Sequence, residues 1–147
     1  MNKFNKANPL FFIGFPRCAS STLVSILNSH PSVIFPKNKG TNFFSTNEFK
    51  SGKQFFFNKY FEELSNEKYF GDGNPVHSFL PYVPKRMFEL FPDAKLIFST
   101  RDPIARAYSN WFHNRETGLE NKSFKSVIID ELRAEENIDL NNYEYFR

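Results

Sequence analysis

The first apolar run of the chain, Leu10-Phe11-Phe12-Ile13-Gly14-Phe15, has no polar alternation and stops at Pro16. Such a run predicts a strand covered on both faces, as in a parallel sheet. Small and polar residues follow, Arg17-Cys18-Ala19-Ser20-Ser21, and from Thr22 the apolar positions change to helical spacing at Leu23, Ile26 and Leu27. This helix should halt between Asn28 and Pro31. Ser32-Val33-Ile34-Phe35 predicts a second, short strand, and Pro36 to Gly40 a basic loop carrying Lys37 and Lys39. In the Phe-rich stretch beyond it, Phe56, Tyr60, Phe61 and Leu64 recur at helical spacing, and these aromatics are expected to pack in the core rather than against a ligand.

Lys68 to Pro75 predicts a short strand running into a Gly-rich turn, and Pro81 to Phe91 a helix closed by Pro92. Ala94 to Thr100 reads as the clearest further buried strand. Asp102-Pro103 is a helix start, because Asp accepts from free first-turn amides and Pro tolerates the first helical position. That helix should reach Arg115, and a last amphipathic helix should run from Ser123 to Glu135. Strands alternating with helices give an α/β fold class: a parallel sheet flanked by helices on both faces. One domain is expected over residues 1–147, with a flexible start at 1–8 and a loosely ordered end at 136–147.

Composition narrows the classes. Of the 147 residues, 40% are hydrophobic and 24% charged, which suits a folded chain rather than a disordered one. The formal charge of +3 comes from interspersed acids and bases with no basic block, a balance that fits a small phosphorylated ligand and not a nucleic acid. The single cysteine, Cys18, excludes an internal disulfide and points to a reducing, cytoplasmic setting, and three scattered His give no zinc-ligand spacing. The run from Pro9 to Phe15 falls short of a membrane span.

Two stretches carry candidate chemistry. In Gly14 to Thr22 a strand turns into a helix, so the free amides and the positive end of the helix dipole converge on one spot that suits an anion. Ala19 is small enough for a phosphate to approach the backbone, Ser20 and Ser21 add hydroxyl donors, and Arg17 can fork onto phosphate or sulfonate oxygens. A nucleotide kinase would place Gly-Lys-Ser/Thr here; the chain has Ala19-Ser20-Ser21 and its loop cation at Arg17, which argues against ATP or GTP hydrolysis. In the second stretch, Ser99 to Ser109, Arg101 leaves the carboxyl end of a strand and Ser109 lies two helical turns on, where both could reach a second phosphate. Arg106, Tyr108, Trp111 and Phe112 read as packing or surface groups.

At these two stretches the chain resembles the sulfotransferases that use 3′-phosphoadenosine 5′-phosphosulfate (PAPS), especially the carbohydrate and heparan-type branch and its bacterial relatives. Gly14 to Leu23 is similar to the family's 5′-phosphosulfate motif, and Arg101-Asp102-Pro103 with Arg106-Ala107-Tyr108-Ser109 to its 3′-phosphate motif. His30-Pro31, Lys39 with Asn42-Phe43-Phe44, Gly71-Asp72 with Pro75, and Gly118-Leu119-Glu120 resemble further landmarks in order. The resemblance implies a P-loop NTPase-like sheet, with Arg17, Cys18, Ala19, Ser20, Ser21 and Thr22 at the 5′-phosphosulfate and Arg101 and Ser109 at the 3′-phosphate. It implies transfer of a sulfuryl group from PAPS to a hydroxyl or amine of an acceptor, a carbohydrate by the branch it resembles, with no metal. Arg17 and Lys39 would then act at the sulfonate. The family's base, a Glu, has Gly40 at its position here, so Asp72, His77 and Glu48 are the substitutes to weigh. Family enzymes also continue past the equivalent of Arg147, so the chain is expected to lack a C-terminal portion. The rival readings are a non-catalytic binder of PAPS or its product, and a P-loop nucleotide kinase.

Overall fold

The computed structural model of the chain describes residues 7–61 and 67–135. The chain divides into two compact units, Met1–Thr100 and Arg101–Arg147. Four strands in the first unit, β1 (Asn8–Gly14), β2 (Val33–Ile34), β3 (Tyr69–Asp72) and β4 (Lys95–Ser99), form one sheet in the order β2-β3-β1-β4, and every pairing is parallel. The chain leaves β1 toward β2, returns to place β3 beside β1, and then crosses to β4 on the other side. Helix α1 (Ser20–Asn28) serves the outward crossover, and α2 (Gly52–Tyr60) and α3 (Val83–Leu90) the later ones.

Crossovers of one hand that run in opposite directions put their helices on opposite faces of a sheet. The core shows this through the alternation of β1. Phe11 points into a cluster with Phe56, Phe57, Phe70, Val83, Met87 and Phe91, the side of α2 and α3. Its neighbour Phe12 points the other way, against Val24 of α1 and Phe35. The unbroken apolar run of β1 thus has the cause that its pattern predicts, and the α/β class with helices on both faces is what the chain forms. Edge-to-face ring pairs fill the larger cluster, such as Phe57 on Phe70 at 4.8 Å and Phe11 on Phe44 at 5.4 Å.

The element readings hold with three differences. β4 is not the buried strand that its apolar run predicts: among the described residues it is the sheet edge, with Leu96 and Phe98 exposed. An edge strand has a neighbour on one side only, so apolar composition alone does not place it in the centre. Two single 3-10 turns, Asn47–Ser51 and Pro75–Ser78, had no periodic signal; they are fixed by side-chain caps from Thr46 and Asn74. The Phe-rich helix ends at Tyr60, and Leu64, expected to continue it, lies outside the described residues, as do 1–6 and 136–147. Of the expected flexible start, Ala7 is described and Asn8 already pairs with Tyr69.

In the second unit, α4 (Pro103–Glu116) starts as its sequence predicts, with the Asp102 carboxylate accepting from the Ala105 amide at 2.8 Å. Tyr108 and Trp111 of α4 pack on Phe124 of α5 (Phe124–Glu135), and the indole N–H of Trp111 donates to the Lys122 carbonyl at 3.0 Å. These aromatics therefore pack within the unit.

Candidate functional site

In open α/β sheets, ligands bind beyond the carboxyl ends of strands where the strand order reverses. Here the order reverses at β1, between β3 and β4. The segment leaving β1 there is Phe15 to Ala19, followed by the first turn of α1.

Gly14 closes the strand at φ 132°, a conformation that L side chains rarely adopt. Its amide donates to Ser78 Oγ at 2.7 Å, and its strand partner is Ser99. Beyond it, Arg17 and Ala19 both take left-handed backbone conformations, φ 67° and 58°, although neither is glycine. Such residues cost energy and recur where a backbone must be shaped around a ligand. Alternating loop conformations of this sort turn successive amides toward one concavity that suits an anion. Ala19 is also the N-cap of α1, and no side chain caps that helix. Cys18 is buried, its Sγ 3.8 Å from the Pro16 carbonyl, and Ser20 is buried with it; Arg17, Ser21 and Thr22 are exposed.

The structure adds a cation that the spacing of the loop did not promise. Lys39, from the loop after β2, donates its Nζ to Ser20 Oγ at 2.8 Å and to Ser21 Oγ at 3.2 Å. The lysine missing from the loop between β1 and α1 is thus supplied by a second loop. Burial lowers its pKa from the ordinary lysine value.

The turn after β3 holds Lys39 there. Lys39 is itself left-handed, at φ 67°, and its carbonyl accepts from the Gly73 amide at 3.1 Å. Asp72, 1% exposed, accepts from the Thr41 amide at 2.8 Å and from the Thr41 hydroxyl at 2.5 Å. Asn74 Nδ2 donates to the Thr41 carbonyl at 2.6 Å. Gly40 is clamped in the same contact: a Cβ on it would stand 2.8 Å from the Asn74 nitrogen and from the Gly73 carbonyl carbon. No side chain, and so no glutamate base, fits at this position without moving the turn.

The other base candidates are enclosed or occupied. Asp72 is spent on Thr41. His77 is 2% exposed, lies edge-on to Phe44, and neither ring nitrogen has a hydrogen-bond partner. Glu48 accepts from Lys59 Nζ on one oxygen and from the Tyr60 hydroxyl at 2.6 Å on the other. Arg17, Cys18, Ala19, Ser20, Ser21, Thr22 and Lys39 are brought together; Arg101 and Ser109 belong to the second unit. Lys39 was expected at the sulfonate only through the family resemblance; the contact that joins it to the loop after β1 spans residues 20 to 39.

Burial of Asp72 raises its pKa to about 7 despite the hydrogen bonds from Thr41, and burial of His77 lowers its pKa to about 4. The two act on stability in opposite directions. As pH falls from 6.5, the unfolded chain protonates the histidine before the fold does, so stability is lost between pH 6.5 and 4. As pH rises from 3.8, the unfolded chain ionises the aspartic acid before the fold does, so stability is lost between pH 3.8 and 7. Asp72→Asn, whose amide oxygen can still accept from the Thr41 amide while its NH2 donates to the Thr41 hydroxyl, should leave only the acid loss, and His77→Phe only the loss on raising the pH. Urea midpoints at pH 4.5 and 6.5 check this, and identical slopes in the two variants would refute it.

Among the described residues no helix is long and apolar enough to cross a membrane, and no three His, Cys, Asp or Glu side chains group as metal ligands.

No protein-family model matches the chain. It is 28% identical over 114 residues to the membrane-associated sulfotransferase kil1 of Dictyostelium discoideum, a match that takes in 76% of this chain and 24% of that protein. Its fold resembles the crystal structure of a sulfotransferase from Alicyclobacillus acidocaldarius, with a TM-score of 0.75 and 26% identity, over 95% of this chain and 64% of the other. The chain therefore spans about a quarter of the length of the first relative and under two thirds of the second. The order of its two motifs, its parallel sheet and both likenesses agree: this chain is similar to sulfotransferases in sequence and in fold.

Proposed function

We propose that the chain binds PAPS, with the 5′-phosphosulfate on the loop from Gly14 to Thr22, and takes part in moving its sulfuryl group to a hydroxyl or amine of an acceptor. One observation carries this reading: the Lys39 ammonium stands at the uncapped start of α1, on Ser20 and Ser21, beside the left-handed Arg17 and Ala19. In the transfer, the acceptor atom bonds to sulfur as the bond from sulfur to the bridging oxygen breaks. The electron pair stays on the 5′-phosphate, and the acceptor proton passes to solvent. Charge grows on the bridging oxygen, and fixed donors aimed there lower the barrier. Arg17, Lys39 and the first amides of α1 are assigned that role; Arg101 and Ser109 are assigned the 3′-phosphate on their motif. Asp72 is assigned to positioning Lys39 through Thr41, and His77 to the core. No metal enters this scheme, the acceptor is taken to be a carbohydrate on the resemblance, and a cytoplasmic setting is part of the same reading.

A second reading, binding of PAPS or its product without transfer, has an observation of its own: position 40 has no room for a carboxylate. A kinase reading would need the loop to prefer ATP. Calorimetric titration of the chain with 3′-phosphoadenosine 5′-phosphate (PAP) and with ATP plus magnesium tests the nucleotide. PAP should bind at least tenfold more tightly, and a preference for ATP with magnesium would overturn the proposal. Radiolabelled sulfate transfer from PAPS then separates the catalytic reading from the binding one.

A further inference from the structure

Strand β1 outruns its neighbour on one side. β3 pairs with it only as far as Phe11 with Asp72, whereas β4 continues to Gly14 with Ser99. Amides along a strand point alternately to its two sides. The Phe15 amide donates to the Ser99 carbonyl of β4 at 3.4 Å, so the Gly14 amide, one residue earlier, points to the other side, past the end of β3. Gly14 is buried, and a buried backbone donor needs an acceptor. Where β3 has ended, the Ser78 hydroxyl accepts from it at 2.7 Å, from the last residue of the 3-10 turn Pro75–Ser78.

The start of the same turn holds the loop that carries Lys39. Asn74 caps the turn by accepting from the Val76 amide at 3.1 Å, and its Nδ2 donates to the Thr41 carbonyl at 2.6 Å and to Asn42 Oδ1 at 3.1 Å. Between the two ends, His77 is buried against Phe44 and seats the turn in the core. One short turn is thus tied both to the Lys39 loop and to the strand end from which Arg17 to Ser20 departs.

We propose that Ser78 is a positioning residue for the 5′ end of the nucleotide: its hydroxyl sets where the anion loop leaves β1, and so sets that loop against Lys39. The ligand in this role rests on the nucleotide reading above; the hold of Ser78 on the loop rests on the geometry alone. Ladder bonds between main chains form whatever the side chains are, but this one ends on a side chain, so a single substitution removes it. The 3′-phosphate, assigned to Arg101 and Ser109, does not enter the link.

Calorimetry with PAP and with adenosine 3′-phosphate, which lacks the 5′ group, separates positioning from general damage. Ser78→Ala should weaken PAP about tenfold, the effect of one hydrogen bond felt in binding, and leave adenosine 3′-phosphate within about twofold of the parent. Ser78→Thr, which keeps the hydroxyl, should hold PAP within about threefold. A folded Ser78→Ala variant that binds PAP like the parent, or that loses both ligands equally, overturns the proposal. Amide hydrogen exchange followed by NMR tests the hold on the loop without any ligand. Exchange at Gly14 should be slow in the parent and in Ser78→Thr, and about tenfold or more faster in Ser78→Ala. Fast exchange at Gly14 in the parent would overturn the proposal even if Ser78→Ala did not fold. Failure of the parent to bind PAP, with exchange at Gly14 as expected, would remove the nucleotide reading and leave Ser78 as the residue that holds the loop.

Discussion

Gly14→Ala is expected to leave the chain without a stable fold. An alanine there must adopt φ near 132°, and its Cβ would stand 2.4 Å from the Ser99 carbonyl oxygen and 2.9 Å from the Ser99 nitrogen. Those atoms are backbone of β4, so relief requires pulling apart the β1–β4 ladder, in which Gly14 pairs with Ser99. The Gly14 amide would also be drawn from Ser78 Oγ. Backbone strain and steric overlap together should cost more than about 4 kcal/mol, against a typical total stability of about 5–15 kcal/mol. Loss of cooperative urea unfolding, followed by far-ultraviolet circular dichroism, is the expected result. A soluble variant with the parent midpoint would show that the strand end is not held as described.

Lys39→Met is expected to lower PAP affinity about ten- to a hundredfold with little change in stability. Methionine keeps the stem length, so the packing of the Lys39 Cγ near Gly73 survives. The substitution removes the charge at Ser20 and Ser21 and nothing of the backbone clamp formed by Gly73, Asp72 and Asn74. Hydrogen bonds to charged groups contribute about 1.5–3 kcal/mol, and each 1.4 kcal/mol is a factor of ten in binding. Unchanged PAP affinity in a variant with the parent unfolding curve would take Lys39 out of the anion site. Thr41→Val makes a useful companion: it removes the hydroxyl that Asp72 accepts from, and if Asp72 acts only through the loop, PAP binding should suffer less than in Lys39→Met.

Much of the site was legible because the chemistry sits in short stretches. Gly14 to Thr22 was legible as a strand–loop–helix unit and a candidate anion loop by local pattern: an apolar strand, small residues and then helical spacing. Asp102-Pro103 gave a helix start by side-chain chemistry alone, and the Asp102 to Ala105 hydrogen bond follows from it. The two 3-10 turns were not legible, since a single capped turn has no period to detect. The exposure of β4 was not legible either, because an apolar strand reads the same at the centre and at the edge of a sheet.

The sequence by itself determined the α/β class, the strand–loop–helix unit and the candidate anion loop, since each depends on residues within a few positions of one another. Tertiary structure decided the rest. It carried Lys39 onto Ser20 and Ser21, turned Asp72 inward onto Thr41, buried His77 against Phe44, and closed position 40 against any side chain. Each of those outcomes depends on β3 lying between β2 and β1, a pairing that joins distant segments through backbone hydrogen bonds common to all sequences. Because those bonds carry no residue identity, local pattern cannot announce which strands will share them.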